Sequence, residues 1–315
     1  MYHSAKLNGK KLSGGNVSST RKMAVITGAT SGIGKAYAGY FASQGCDLLL
    51  TGRRREMIMK VAADLKTRFS VNVEVVIADF SRNEDIAALL QAVGKQKNIE
   101  ILINNAGYGI EYKFIEDEID HQLDMLKIHV EVPLMLIHQV LPTMMNNGSG
   151  IIINVSSLAA YMPAAGNAMY TSTKSFLKNF TESLHMDVNH YGIKVQCLCP
   201  GFTHSDYHRN LSISADHMKQ GLNYWMKPSE VVDYSIYCLN KGQVICIPGF
   251  LNRVVSHLVV TVPRSLYYWI ALKMEKKIRN HQHSPDLAIM QAYSNRPVQG
   301  VRRPHLLPLK WLPFL

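Results

Sequence analysis

Hydrophobic residues recur along the chain in two alternating patterns. Short apolar runs, of the length that forms buried strands, occupy residues 23–27, 47–51, 71–78, 99–103, 151–155, 193–199 and 244–247. Segments with a helical period occupy 32–44, 56–69, 83–93, 119–145, 168–190 and 229–239, and Pro133 predicts a kink in the longest of them. Strands that alternate with helices favour a parallel sheet covered on both faces. The pattern therefore predicts an α/β fold with a doubly wound (Rossmann-type) parallel sheet of about seven strands.

The periodic pattern continues beyond the last strand. Apolar residues at helical spacing fill 250–262, and Pro263 separates them from 264–279, which begins with aromatic residues and ends with cations. Such a helix can pack on the protein body, over a cleft or a subunit interface, or it can lie in a membrane interface. We expect packing on the body for 250–262 and peripheral membrane contact for 264–315.

Composition and charge narrow the class of protein. Hydrophobic residues make up 47% of the 315 residues, enough for a sizeable core. The net charge is +11, but residues 1–22 hold five Lys/Arg without an acid, and residues 250–315 hold ten Lys/Arg and two acids. The remaining residues carry −2, which argues against a nucleic-acid partner, whereas the basic ends suit an anionic surface.

The domain organisation follows from these shifts in composition. We predict a flexible basic leader at 1–22, a folded dinucleotide-binding domain at 23–249, and a basic, amphipathic helical extension at 250–315. No apolar run has the roughly 18–20 residues of a membrane span. The start of the chain has no secretory-type apolar stretch, and the five cysteines are not clustered, so we expect reduced thiols and a cytoplasmic location. Cys197 and Cys199 alternate inside a strand, which favours a core position over a metal site.

A glycine-rich turn follows the first strand and opens the first helix. It contains Gly28, Thr30, Ser31, Gly32, Ile33 and Gly34. Glycines let the backbone approach a pyrophosphate, and a helix N-terminus offers free N–H groups. The turn therefore predicts a dinucleotide site, although its Gly-x-x-x-Gly-x-Gly spacing differs from the commoner one.

Charged residues follow the second and third strands. Arg53 and Arg54 stand where an arginine accommodates the 2′-phosphate of NADP. They could instead simply begin a helix, but cations are disfavoured at a helix N-terminus, so we expect NADP(H). Asp79 could meet an adenine amino group or cap the next helix, and both readings stay open.

Two further groups complete the pattern. Asn105, Ala106 and Gly107 follow the fourth strand and suit a cofactor wall, although alone they would read as a turn. Tyr170 and Lys174, four residues apart, share one helical face, where the ammonium lowers the phenol pKa and makes the phenol a proton donor or acceptor. The pair alone could be only a solvated surface. All these loops follow strands of one predicted sheet, so we expect them to converge at its carboxyl edge.

The combination resembles the short-chain dehydrogenase/reductase family over about residues 23–249. The matching pieces, in the order of the family, are Thr27–Gly34, Asn104–Gly107, Ser157, Tyr170–Lys174 and Pro200-Gly201. The resemblance implies Tyr170 as general acid or base and Ser157 as the hydroxyl that orients the substrate oxygen. It also implies that Lys174 holds the nicotinamide ribose, that Thr203 contacts the carboxamide, and that the chain forms homo-oligomers through the long helix and the Tyr170 helix.

One position departs from the family. Histidine stands at 129, where the family usually has an asparagine that supports a proton-relay water. His129 could serve the relay or be a buried, neutral, structural histidine. His204 and His208, beside Asp206, have a spacing that a metal could use, but they lie where the family has a mobile lid, so we predict no metal.

The sequence therefore predicts an NADP-dependent oxidoreductase that acts on a carbonyl or secondary alcohol. The similarity to the hydroxysteroid and ketoacyl reductase branch implies a hydrophobic, steroid- or acyl-like substrate. The alternative is a non-catalytic protein that senses NADP or binds a partner on the same fold.

Overall fold

Parallel strands form a seven-stranded sheet in the computed structural model, which describes residues 21–109, 114–204 and 225–279. The strands β1 to β7 are Met23–Thr27, Asp47–Gly52, Val73–Ile77, Ile99–Asn104, Gly150–Val155, Ile193–Leu198 and Ile245–Cys246. Their order is β3-β2-β1-β4-β5-β6-β7, and every neighbouring pair is parallel. The predicted fold class is confirmed.

Helices cover both faces of this sheet. The helices α1, α2, α3, α6 and α7 are Gly32–Ser43, Arg55–Phe69, Asn83–Gly94, Ala168–Val188 and Pro228–Asn240. One buried core includes residues of α1, α2 and α7, and the other includes residues of α3 and α6. All five residues of β1 are buried because this central strand is covered on both sides.

The chain reverses the direction in which strands are added between β1 and β4. The strands β2 and β3 lie to one side of β1, and β4 to β7 lie to the other. Such a switch point opens a crevice outside the carboxyl ends of the strands. The loops that follow β1 and β4 therefore meet there.

The long helix predicted at 119–145 is interrupted. Helix α4 is Ile119–Leu126, a π-helical turn spans Lys127–Glu131, and α5 is Val132–Asn147. The irregular turn lies directly before Pro133, the residue from which a kink was predicted. Pro133 has no N–H to donate to the carbonyl four residues earlier, and Val132 donates instead to Lys127, five residues back. The resulting wide turn carries His129.

Two helices follow β7. They are α8, Phe250–Thr261, and α9, Arg264–Arg279. Helix α8 contacts the body, in line with the packing expected for 250–262: Asn252 lies against Gly201 and Ser256 is buried, while Phe250 and Leu258 are exposed. None of the helices that the structure describes is long and apolar enough to cross a membrane.

Some of the predictions fall on other parts of the chain. Residues 1–20 of the predicted leader, residues 280–315 of the extension, and Asp206 and His208 lie outside the described residues. Cys197 and Cys199 are both fully buried at the end of β6, with their Sγ atoms 3.6 Å apart, in agreement with a core position.

Candidate active site

The glycine turn between β1 and α1 leaves no room for side chains at its key positions. Gly28 and Gly32 have φ of 65° and 56°, in the left-handed region that favours glycine. A Cβ at Gly34 would lie 2.4 Å from the carbonyl oxygen of Gly28. The turn is thus a close-packed backbone cradle at a helix N-terminus, which suits a phosphate group.

The loop after β4 fastens this cradle to the neighbouring strand. The Nδ2 atom of Asn105 donates to the carbonyl oxygens of Thr27 at 2.9 Å and Gly28 at 3.1 Å. The hydroxyl of Thr27 accepts from the backbone N–H groups of Asn105 and Ala106, both at 2.9 Å. Asn105 therefore shapes the cradle through its side chain, and Ala106 borders it with a small one.

The side chain of Arg54 lies on the cradle. Its Nη2 donates to the hydroxyl oxygens of Thr30 at 2.8 Å and Ser31 at 2.9 Å. Arg54 is half-buried, whereas Arg53 beside it is exposed. A guanidinium and two hydroxyls on one side of the cradle form a donor cluster that suits a phosphate.

Asp79, after β3, makes its contacts within its own turn. Its Oδ1 accepts from the backbone N–H of Ser81 at 3.1 Å and from the hydroxyl of Ser81 at 3.0 Å. The carboxylate thus stabilises the turn that precedes α3, which begins only at Asn83. This arrangement is closer to the capping reading, and the adenine contact stays a prediction.

Tyr170 and Lys174 lie on α6 at the carboxyl edge of β5. The Nζ atom of Lys174 is 5.8 Å from the centroid of the Tyr170 ring and donates to the carbonyl oxygen of Val155 at 3.1 Å. The hydroxyl of Ser156 donates to the carbonyl oxygen of Lys174 at 2.8 Å and ties α6 to β5. Burial lowers the pKa of Lys174 to about 8. The spacing that predicted a shared helical face thus places a buried cation beside a phenol.

Ser157 begins the segment that follows β5. Its backbone is extended, and its hydroxyl accepts from the N–H of Ala159 at 3.1 Å. Ser175, on α6, donates to the carbonyl oxygen of Ala160 at 2.7 Å. The segment of Ser157 is therefore fastened directly to the helix that carries Tyr170.

His129 is buried between the loop after β4 and α6. Its Nε2 accepts from the N–H of Tyr108 at 3.1 Å, and its Nδ1 lies 3.0 Å from the hydroxyl oxygen of Thr173. That hydroxyl donates to the carbonyl of Tyr170 at 2.9 Å, so the neutral tautomer with a proton on Nδ1 satisfies all three groups.

The environment of His129 keeps the ring neutral. Burial, and then the nearby charge of Lys174, hold the pKa of His129 well below its usual range. The ring of Tyr170 stands edge-on to it, with ring centroids 5.8 Å apart. This geometry matches the buried structural histidine of the two alternatives, and the relay role stays a prediction.

The loop after β6 closes the site from the other side. The N–H of Leu158 donates to the carbonyl oxygen of Pro200 at 2.9 Å, and the hydroxyl of Thr203 donates to the carbonyl oxygen of Gly201 at 3.2 Å. A Cβ at Gly201 would lie 2.6 Å from Nδ2 of Asn252, on α8. Sequence reasoning missed Asn252 because it lies outside the family motifs, although it interrupts an apolar helical repeat.

A cleft runs beside Tyr170. Its lining consists of Phe114, Gln122, Met125, Gly166, Asn167, Ala168, Met169 and Tyr170. Apolar side chains (Phe114, Met125 and Met169) and polar ones (Gln122 and Asn167) therefore both lie beside the phenol of Tyr170.

The part of the chain that contains these motifs is similar to known proteins. A family model described as short chain dehydrogenase matches residues 22–215. "Inactive hydroxysteroid dehydrogenase-like protein 1" of Pongo abelii is 33% identical over 262 residues, which cover 82% of this chain and 77% of that protein. "Very-long-chain 3-oxoacyl-CoA reductase" of Anas platyrhynchos is 35% identical over 181 residues, 56% of this chain and 58% of that protein.

A solved structure extends the similarity over most of the chain. The short-chain dehydrogenase from Sphingobium yanoikuyae, in complex with NADPH, superposes with a TM-score of 0.68 at 27% identity and covers 90% of this chain and 99% of its own. The chain spans little more than half the length of some relatives, 58% for the duck reductase and 55% for the human protein of the same name as the orangutan one. The matched family model, the fold and the motifs agree, and the chain belongs to the short-chain dehydrogenase/reductase family.

Proposed function

We propose that this protein is an NADP-dependent oxidoreductase that interconverts a carbonyl and a secondary alcohol on a hydrophobic substrate. The observation that carries the proposal is the grouping of Tyr170, Lys174 and Ser157 at the same sheet edge as the glycine cradle. The motifs are far apart in sequence. If they had only structural roles, nothing would require them to lie at the same edge of the sheet.

The cradle residues fit a dinucleotide. The backbone conformations of Gly28 and Gly32 and the close packing at Gly34 suit a turn that approaches a pyrophosphate, and Arg54, with Thr30 and Ser31, offers donors to a 2′-phosphate. Arg53 adds a second cation nearby. We assign the remaining contacts to helix residues and to residues of the surrounding loops. The helix residues are Ile33, Tyr170 and Lys174, and the loop residues are Asp79, Asn105, Ala106, Gly107, Pro200, Gly201 and Thr203. When bound, the nicotinamide cofactor supplies or accepts the hydride.

The chain's own residues handle the proton. Tyr170 donates a proton to the carbonyl oxygen in reduction, and Ser157 donates a hydrogen bond to the same oxygen and orients it. The ammonium of Lys174, 5.8 Å from the phenol ring, favours the charge that develops on Tyr170 when the proton leaves. The position of Lys174 behind the loops of the site also suits hydrogen bonds from its ammonium to the ribose hydroxyls of the cofactor.

Apolar side chains in the cleft support a hydrophobic substrate. Phe114, Met125 and Met169 line it beside Tyr170. The name of the duck relative, a very-long-chain 3-oxoacyl-CoA reductase, supports a long acyl chain as one candidate. The hydroxysteroid dehydrogenase-like relatives support a steroid skeleton as another.

A non-catalytic protein that senses NADP is the second candidate. It is favoured by the word "inactive" in the name of the orangutan relative. Against it stands the presence of Tyr170, Lys174 and Ser157 together, since a sensor needs no proton donor.

The decisive experiment measures NADPH oxidation with a panel of apolar ketones. We expect turnover with at least one ketone, and Tyr170→Phe should reduce it by roughly 10²–10⁴-fold while NADPH affinity and the fold are retained. NADPH binding without turnover of any ketone would favour the sensor. Wild-type turnover in Tyr170→Phe would remove Tyr170 from its role as the acid.

Location and assembly complete the proposal. We propose a cytoplasmic protein that meets a membrane peripherally through residues 264–315 and assembles into homo-oligomers. Free, buried cysteines support the first point, because Cys46, Cys197, Cys199, Cys238 and Cys246 all remain thiols.

A further inference from the structure

Helix α8 has its polar side toward the protein and its apolar side outward, the reverse of a helix that stabilises a core. Its polar residues Asn252 and Ser256 face the protein, where Asn252 donates to the carbonyl oxygen of Pro248 at 2.7 Å and Ser256 is buried. Its apolar side faces outward, with Phe250 70% and Leu258 57% exposed. A helix normally buries its apolar stripe, so this orientation indicates an apolar contact beyond the residues that the structure describes.

The first turns of α9 extend the same kind of surface. The hydroxyl of Tyr267 donates to the carbonyl oxygen of Pro163 at 2.6 Å and fastens the helix to the body, while Trp269 remains 60% exposed. We define the outer apolar face by six exposed apolar residues of the two helices: Phe250, Leu251, Val254, Leu258, Leu266 and Trp269.

The charges around this face distinguish between possible occupants. Residues 250–274, which include α8 and the first turns of α9, contain no aspartate or glutamate, and their cations are Arg253, Arg264 and Lys273. Protein interfaces are usually rimmed by both signs of charge, whereas an anionic lipid surface attracts cations only. Exposed tryptophan and tyrosine beside aliphatic residues are also typical of a helix in a membrane interface.

We propose that the outer apolar face of α8 and α9 docks on an anionic lipid surface, with both helices lying in the plane of the membrane. The sequence alone placed membrane contact in residues 264–315, and the structure extends it to α8. Docking is favoured by burial of the apolar side chains and by the attraction of nearby cations to anionic headgroups.

The docked face adjoins the active site. Asn252 of α8 packs on Gly201, in the loop after β6, and Tyr267 of α9 binds Pro163, between Ser157 and Tyr170. Because both helices contact the loops around the active site, docking places the edge of the active site against the membrane. Given the proposed function, on which this step rests, the substrate is a lipid-phase ketone or alcohol that reaches Tyr170 from the bilayer.

Sedimentation with vesicles tests the docking. Full-length protein is mixed with phosphatidylcholine vesicles that contain or lack phosphatidylserine, at low and high salt. We expect binding to the anionic vesicles, release by salt, and a partition coefficient at least about tenfold lower for the double variant Leu258→Ser/Trp269→Ser. Met59→Ser, on α2 and 50% exposed, is the matched control and should bind like wild type.

The outcomes separate docking from catalysis. If wild type stays in the supernatant, or the double variant binds as well as wild type, the docking proposal is overturned. If the double variant instead turns an oligomer into a monomer in light scattering without vesicle binding by either protein, the face is a subunit interface and the proposal also fails. Vesicle binding without turnover of any ketone would refute the proposed function and leave the docking intact.

Turnover supplies the link between the two. The double variant should keep its activity on a water-soluble ketone, because none of its changes contacts the cofactor or Tyr170. It should lose activity on a ketone embedded in anionic vesicles by about the same factor as its binding. Equal loss on both ketones would contradict delivery from the membrane.

Discussion

His129 shows how one side chain can join three parts of the active site. Its two ring nitrogens connect the loop after β4, through Tyr108, with α6, through Thr173. Thr173 passes the connection to the carbonyl of Tyr170. Only the neutral ring can accept from Tyr108, so protonation would break this connection next to the proposed acid.

Acid should therefore weaken the fold through His129. Its pKa in the folded chain is well below the value of about 6.5 in an unfolded chain, so the unfolded state binds more protons as the pH falls. The stability due to the neutral ring is complete above pH 6.5 and is lost below it. Between about pH 7 and pH 5, wild type should therefore lose more unfolding free energy than His129→Asn. Urea titrations of both proteins measure this, and equal losses would show that His129 is charged in the fold.

The three consecutive arginines after β2 are not equivalent. Arg54 reaches Thr30 and Ser31 on the cradle, while Arg53 is exposed, and Arg55 is the first residue of α2. Sequence alone could not choose between Arg53 and Arg54, because the choice depends on which side chain turns toward the glycine loop.

Cofactor preference should depend chiefly on Arg54. A charge-assisted hydrogen bond contributes about 1.5–3 kcal/mol, so Arg54→Ala should weaken NADP(H) binding by about tenfold or more and NAD(H) binding little. Arg53→Ala should act in the same direction with a smaller effect, and Arg55→Ala is the control. Fluorescence titration with NADPH and NADH measures all four proteins, and equal losses for both cofactors in Arg54→Ala would contradict the phosphate assignment.

At the scale of the element, two of the three glycines in helix α1 are in opposite situations. A Cβ at Gly34 would collide with the carbonyl of Gly28, whereas a Cβ at Gly39 would meet nothing within 4 Å. Gly34 thus serves the close approach of helix and cradle, and Gly39 does not.

Alanine at the two positions should change stability in opposite directions. Gly39→Ala should stabilise the fold by about 0.5–1 kcal/mol through helix propensity. Gly34→Ala should destabilise it by about 1–3 kcal/mol and weaken NADPH binding, because the cradle must shift. Urea titrations and NADPH titrations measure both effects. A neutral Gly34→Ala with wild-type affinity would show that the cradle is not close-packed.

The sequence predicted the bounds of a helix or strand well where a single hydrophobic period runs through the whole element. The strand Met23–Thr27 and the helix Arg264–Arg279 have the predicted bounds, and the other strands and helices differ from theirs by a few residues. Pro133 indicated an interruption of the long helix, and the π-helical turn lies directly before that residue, because the missing N–H affects carbonyls in the preceding turn. The sequence could not show which side of α8 faces the body, because periodicity shows that a helix has an apolar side but not which way that side faces.

At the scale of the whole molecule, apolar side chains also remain exposed on α4 and α6. They include Leu123 and Leu126 on α4, and Phe176 and Met186 on α6. These are the helices that the family resemblance assigns to subunit contacts, and contiguous exposed apolar residues often mark such contacts. The motifs could predict that the cofactor and catalytic residues meet, but the faces that remain exposed required the folded chain.

Wild-type protein should therefore be an oligomer whose interface includes α6. Phe176→Asp would bury an unpaired carboxylate at that interface and should produce monomers. Met59→Asp, at an exposed position of α2, is the control and should keep the wild-type mass in light scattering. A monomeric wild type, or an unchanged mass in Phe176→Asp, would place the interface elsewhere.

The outward orientation of α8 also affects how mutations of this protein are read. Phe250, Leu251 and Leu258 already contact water in the isolated chain, so replacing them removes little buried area. A mutational screen that ranks variants by melting temperature would therefore score these positions as tolerant. Natural selection acts on the chain in its cellular surroundings, and there the same positions would be constrained. Tolerance in the test tube combined with constraint in the cell is the pattern by which such a face becomes visible.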